Sequence, residues 1–224
     1  MIKAVIFDVD GTLLNTERIY MRAWVEAGAQ FGYKVTDEVL LQTRAVDVPA
    51  AKVCFRQYCG EDFPYDAVRA ERVRIAEEII EKAPAHTLWM PYAREILQWL
   101  TDQGLTLAAA SSTVYEKTCA HLKHAGLLDF FQVIICGDMV EKGKPAPDIF
   151  LKAAEQAEAE LFQCIVVGDT PADVFAGSAA GIKVVLIPDQ VPANEQTTPL
   201  SWKILPSLEQ LKDAVAEFNG EQRS

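Results

Sequence analysis

The sequence predicts an α/β fold in two parts, a parallel-sheet core and an inserted helical block. Short apolar runs at residues 2–7, 105–110, 133–136, 165–167 and 184–187 alternate with helical patterns, as they do where crossover helices join parallel strands. The alternation breaks once, between residues 15 and 85, where the pattern is helical throughout. The chain is also large and apolar enough for such a fold. Of its 224 residues, 50% are hydrophobic and 24% charged, and a chain of this size buries about 70% of its unfolded surface.

In chain order, the first run leads directly into Asp8 and Asp10, after which Gly11 permits a tight turn. Tyr20, Trp24, Ala27 and Phe31 then recur at i, i+4, i+7 and i+11 and mark one face of a helix; residues 68–83 form a second helical pattern. Pro84 and Pro91 punctuate the return, which predicts a core of residues 1–14 and 86–224 around an insertion of residues 15–85. Amphipathic stretches at 115–125, 148–157 and 171–180 supply the later crossovers. Residues 188–199 form a polar loop, and 207–218 a closing helix.

Charge narrows the function. With 21 Lys+Arg against 32 Asp+Glu the net charge is -11, and a nucleic-acid surface needs clustered cations. Five widely spaced cysteines without a Cys-x-x-Cys pair fit a reduced, intracellular protein. The N-terminus meets two acids within ten residues and has no long apolar segment, and no stretch approaches the ~20 apolar residues of a membrane span. The expectation is a cytoplasmic monomer acting on a small molecule, with no nucleic-acid or membrane partner. Seven of the nine arginines lie in the insertion, most of them expected on solvated helix faces. Arg44 sits among apolar and small residues and is the one expected to touch a substrate.

Parallel strands align their carboxyl ends on one edge of the sheet, where open α/β folds bind ligands. Asp8 and Asp10 follow the first run, Ser111 and Ser112 the second, a loop ending at Lys144 the third, and Gly168-Asp169 the fourth. Thr170, Pro171 and Asp173 also have the pattern of a helix start with a capping box, so Asp173 has both a structural and a functional reading.

With Asp8-Val9-Asp10-Gly11-Thr12, Ser111, Lys144 in Lys-Pro-Ala-Pro-Asp, and Gly168-Asp169 followed by Asp173, the chain resembles the haloacid dehalogenase superfamily over nearly its whole length. The resemblance implies a Rossmann-like core with the helical insertion as a C1 cap, and a Mg²⁺-dependent phosphatase of small phosphate monoesters, close to the β-phosphoglucomutases and sugar-phosphate phosphatases. It implies Asp8 as nucleophile, Asp10 as acid-base, and Ser111 and Lys144 as charge stabilisers, with Lys142 as the alternative to Lys144. Asp8, Asp10 and Asp169 would hold the metal with Asp173 behind them, while Gly11, Thr12 and Ser112 would contact the phosphate. Clustered carboxylates repel one another and a phosphate alike, so a hard cation among them is required.

Three other readings compete. Family dehalogenases usually lack the second acid that Asp10 provides. A non-catalytic binding or regulatory protein on this fold would not need every catalytic position filled. A phosphomutase of the β-phosphoglucomutase type is the closest rival, but those enzymes typically carry a His where this chain has Tyr20.

Overall fold

The computed structural model describes residues 1–43 and 48–221. Among the described residues, six parallel strands form one sheet in the order β3-β2-β1-β4-β5-β6, with β1 at Ala4–Phe7, β2 at Thr106–Ser111, β3 at Val133–Cys136, β4 at Cys164–Gly168, β5 at Lys183–Leu186 and β6 at Lys203–Ile204. This is a doubly wound order, whose switch point lies at β1, flanked by β2 and β4. Phe7 stands opposite Ala109 on one side and Val167 on the other, and Ser111 stands opposite Cys136. β2 and β3 thus run two residues past the end of β1, and all the carboxyl ends lie on one edge of the parallel sheet.

Strands buried on both faces need apolar residues at every position, and β1, Ala-Val-Ile-Phe, is fully buried. Alternate residues sort by face. Ala4 and Ile6, Ala108 and Ala110, Val133 and Ile135, and Cys164 and Val166 share one core cluster with Ile149, Phe150 and Ala153 of a helix at Asp148–Gln156 and Val174 and Ala176 of another at Pro171–Ala179.

The chain divides into two compact units, Met1–Asn15 with Pro84–Ser224, and Thr16–Ala83. Among the described residues the second unit holds four helices, α1 at Thr16–Gln30, α2 at Asp37–Gln42, α3 at Val48–Cys59 and α4 at Tyr65–Lys82. Its core is aromatic: Phe55 of α3 lies 4.5 Å from the Trp24 ring centroid, 5.1 Å from Phe63 and 5.3 Å from Tyr65. The first unit's helices continue the numbering with α5 at Ala93–Asp102, α6 at Tyr115–His124, α7 at Asp148–Gln156, α8 at Pro171–Ala179 and α9 at Leu211–Glu221.

One local expectation is corrected and one strand is added. Phe31 is 42% exposed and does not continue the Trp24 face. Helix α1 ends at Gln30, and Gly32 at φ +82 turns the chain so that buried Val35 joins the core instead. Residues 188–199 are the expected loop, and the two-residue strand β6 that lies beyond them, paired only through Val185 with Lys203 and Leu186 with Ile204, is too short to leave a periodic signal. The closing helix starts, as expected, directly after Ser207, with a 3-10 turn at Leu208–Gln210 that continues into α9. No helix among the described residues is long and apolar enough to cross a membrane, and the five cysteines form no disulfide.

Candidate active site

The site assembles where the strands end. Asp8 leaves β1 still tied to the sheet, its N–H donating to Val167 O at 2.8 Å. Ser111 is the last residue of β2, Asp169 the first beyond β4, and Asp173 lies in the first turn of α8. Asp8, Ser111, Asp169 and Asp173 are all buried, at 7%, 1%, 3% and 1% exposure.

Lys144 reaches into this cluster from the segment between β3 and α7, after which the Lys144–Pro145 peptide bond is cis. Its side chain is only 3% exposed, whereas Lys142 is exposed. Its ammonium donates to Asp8 Oδ1 and to Ala110 O at 2.8 Å, and forms an ion pair with Asp173 Oδ1 at 2.7 Å. The geometry thus selects Lys144 over Lys142 as the cation of the site.

Asp8, Asp169 and Asp173 each offer one oxygen, and these lie within 4.8 Å of one another. Among the described residues, these three carboxylates gather beside the Lys144 ammonium. Burial pushes the Asp8 carboxyl well above the usual range; Lys144 opposes this, while Asp173, Asp169 and Asp10 add to it. Burial pulls Lys144 down, but Asp173 and Asp8 outweigh it, so its ammonium is held charged above its ordinary range. Hard carboxylate oxygens this close are a donor set that fits Mg²⁺.

Neighbouring residues hold the carboxylates in place. Thr12 donates its hydroxyl to Asp169 Oδ1 at 2.7 Å. Gly11 adopts φ +94, and a Cβ there would meet Asp169 Oδ2 at 2.5 Å; only glycine allows both the turn and this approach. The two readings of Asp173 hold together. Its Oδ2 accepts from the Thr170 N–H at 3.1 Å and the Thr170 hydroxyl at 2.5 Å, completing the capping box, while its Oδ1 faces Lys144.

Ser111 donates to Asp10 Oδ2 at 3.2 Å. Ser112 is exposed, so the buried hydroxyl beside the carboxylates belongs to Ser111. Arg44 falls outside the described residues. The geometry also includes a group that sequence reasoning missed: Thr113 donates to Asp10 Oδ2 at 3.3 Å. The run Ser111-Ser112-Thr113, three hydroxyls directly after a strand, is the signal that could have found it.

A sheet edge with a buried aspartate, a buried lysine and two further buried carboxylates belongs to an α/β fold with a ligand-binding edge, and comparison with known proteins specifies the family. The sequence pattern of the haloacid dehalogenase-like hydrolases matches residues 5–187, and the chain belongs to that family. It is 32% identical over 217 residues to Protein CbbY of Rhodobacter capsulatus, covering 91% of this chain and 92% of that protein. It is 29% identical over 188 residues to a phosphorylated carbohydrates phosphatase of Thermotoga maritima, covering 81% and 82%. The solved structure of beta-phosphoglucomutase from Clostridium difficile superposes with a TM-score of 0.76 over 99% of each chain at 20% identity, a likeness of fold alone. Within its family the chain is a phosphoric monoester hydrolase, in keeping with relatives named as phosphatases.

Proposed function

We propose that the chain hydrolyses a small phosphate monoester, a sugar phosphate or a similar compound, through an aspartyl-phosphate on Asp8. The observation that carries this reading is the arrangement around Lys144, which binds Asp8 and Asp173 at once in a buried cluster with Asp169. It brings three carboxylates and a lysine together at the edge where open α/β sheets bind ligands.

Asp8, the Asp10 carbonyl and Asp169 would hold Mg²⁺, with Asp173 behind them on Lys144. Bound there, Mg²⁺ neutralises charge on the phosphoryl oxygens. Asp8 attacks phosphorus while Lys144 keeps its carboxylate oriented, and Lys144 and Ser111 stabilise the equatorial oxygens. Asp10 gives its proton to the departing ester oxygen, then takes one from the water that cleaves the aspartyl-phosphate.

Hydrolysis is favoured over isomerisation by the setting of Tyr20. Its hydroxyl donates to Glu77 and its ring lies 4.5 Å from the Arg72 guanidinium, so the side chain is engaged inside the helical unit. A mutase must protect its phospho-enzyme from water until the sugar has reoriented.

The test is a panel of phosphate esters with Mg²⁺, including β-glucose 1-phosphate with a trace of the 1,6-bisphosphate, following free phosphate and glucose 6-phosphate together. Phosphate release is expected to dominate, and Asp8→Asn to lower turnover at least about a thousandfold with the fold intact. Near wild-type turnover in that variant overturns the nucleophile; glucose 6-phosphate well ahead of free phosphate overturns the hydrolase reading in favour of a mutase.

A further inference from the structure

The segment between β2 and α6 carries a hydroxyl that the mechanism above does not use. Thr113 Oγ1 and Ser111 Oγ both donate to Asp10 Oδ2, at 3.3 and 3.2 Å. These are long for O–H···O bonds, which centre at about 2.7–2.8 Å, so the hold on Asp10 is loose. The Thr113 N–H in turn donates to Ser111 Oγ at 3.0 Å. That bond occupies a lone pair of the serine oxygen and leaves its single O–H directed at Asp10.

The neighbouring strand fixes this segment from outside. Gly137, directly after β3, donates its N–H to Thr113 O at 3.1 Å. A Cβ on Gly137 would meet Ser112 O at 2.5 Å, so any other residue there would displace the backbone that carries Thr113. One residue on, Asp138 Oδ1 accepts the Tyr115 N–H at 3.0 Å at the start of α6. Thr113 is thus held in place from β3, independently of Asp10.

Resting on the phosphatase reading, we infer that Thr113 is a positioning residue for Asp10, the group that keeps this carboxyl aligned once a phosphoryl group is seated. Ser111 has one proton, which it can give to Asp10 or to a phosphoryl oxygen but not to both. When the phosphoryl oxygen takes it, Asp10 Oδ2 retains the Thr113 hydroxyl, and the carboxyl stays aligned. As the Asp8–phosphorus bond forms and the bond from phosphorus to the ester oxygen breaks, the electron pair of that bond stays on the ester oxygen. That oxygen takes the proton from the Asp10 carboxyl, and the alcohol departs neutral. Substrate binding thereby exchanges a loose two-hydroxyl hold on Asp10 for a single anchored one.

Leaving groups separate this role from a merely structural one. A nitrophenolate departs without protonation, whereas an alkoxide needs the proton that Asp10 supplies. Thr113→Val keeps the shape and removes the hydroxyl. In that variant kcat/KM for the best alkyl phosphate of the panel is expected to fall about tenfold, a part of the 10²–10⁴ that a positioned general acid contributes. The loss should lie in kcat rather than KM, and kcat/KM for 4-nitrophenyl phosphate should stay within about twofold. Thr113→Ser, which restores the hydroxyl, should recover the alkyl ester. Equal loss on both esters, or none on either, overturns the role of Thr113 and leaves the phosphatase reading standing. A wild-type protein that releases phosphate from neither ester overturns both.

Discussion

Both units of the molecule bury charge, and they settle it differently. In the helical unit Arg72 lies over aromatic faces, 4.5 Å from the Tyr20 ring and 5.2 Å from Trp24, with its Nε donating to Tyr20 O at 3.2 Å. Burial pulls its pKa down and Glu17 opposes this, while the ring faces attract the guanidinium. In the sheet unit Lys144 lies among carboxylates, paired with Asp8 and Asp173 beside Asp169, and there the carboxylates outweigh burial and hold the ammonium charged. One cation is met by aromatic faces, the other by carboxylate oxygens close enough to one another to suit a hard cation.

The largest effect should come from breaking the aromatic side of this contrast. Phe55 is 1% exposed between Trp24, Phe63 and Tyr65, and Phe55→Ala should cost about 3–5 kcal/mol. Hydrogen exchange should report the loss within residues 16–83, with β1, β2 and β4 keeping their protection. Uniform loss across both units would show that the two cores are one cooperative structure.

A smaller effect sharpens the charged side. Mg²⁺ at a hundred times its dissociation constant should stabilise the fold by about 2.7 kcal/mol, read as a rise in Tm that EDTA reverses and that Asp169→Asn largely removes. Ca²⁺, which prefers longer bonds and more ligands, should also raise Tm but inhibit phosphate release. An unchanged Tm with either ion would argue against a metal site at this cluster.

The smallest effect separates the two duties of Asp173. Thr170→Ala removes the hydroxyl that Asp173 Oδ2 accepts and half of the capping box, at a cost of about 1 kcal/mol by chemical denaturation. Since Asp173 Oδ1 keeps Lys144, turnover should fall only a few-fold. A loss as large as that of Asp8→Asn would mean that the cap and the lysine contact are inseparable.

Legibility followed the range of the interaction. The apolar runs and their alternation with helices are local, and β1 to β5 fall within a few residues of where the pattern put them. Thr170, Pro171 and Asp173 form a cap within four residues, so both halves of the capping box were visible. Phe31 fitted the helical period until the turn at Gly32 removed it from the face, and β6 is defined only by its partner β5.

The sequence by itself determined the strand ends, the identity of the residues placed there, and through them the family, because each depends on a short motif or a period. Only the tertiary structure decided how those residues share protons and charge. That Lys144 binds Asp8 and Asp173 together, that Thr12 spends its hydroxyl on Asp169, and that Thr113 holds Asp10 from a segment anchored by Gly137 are contacts across up to 157 positions of chain. No local pattern encodes them. They arise because a parallel sheet brings the carboxyl ends of separate strands to one edge, where burial forces each polar group to find a partner.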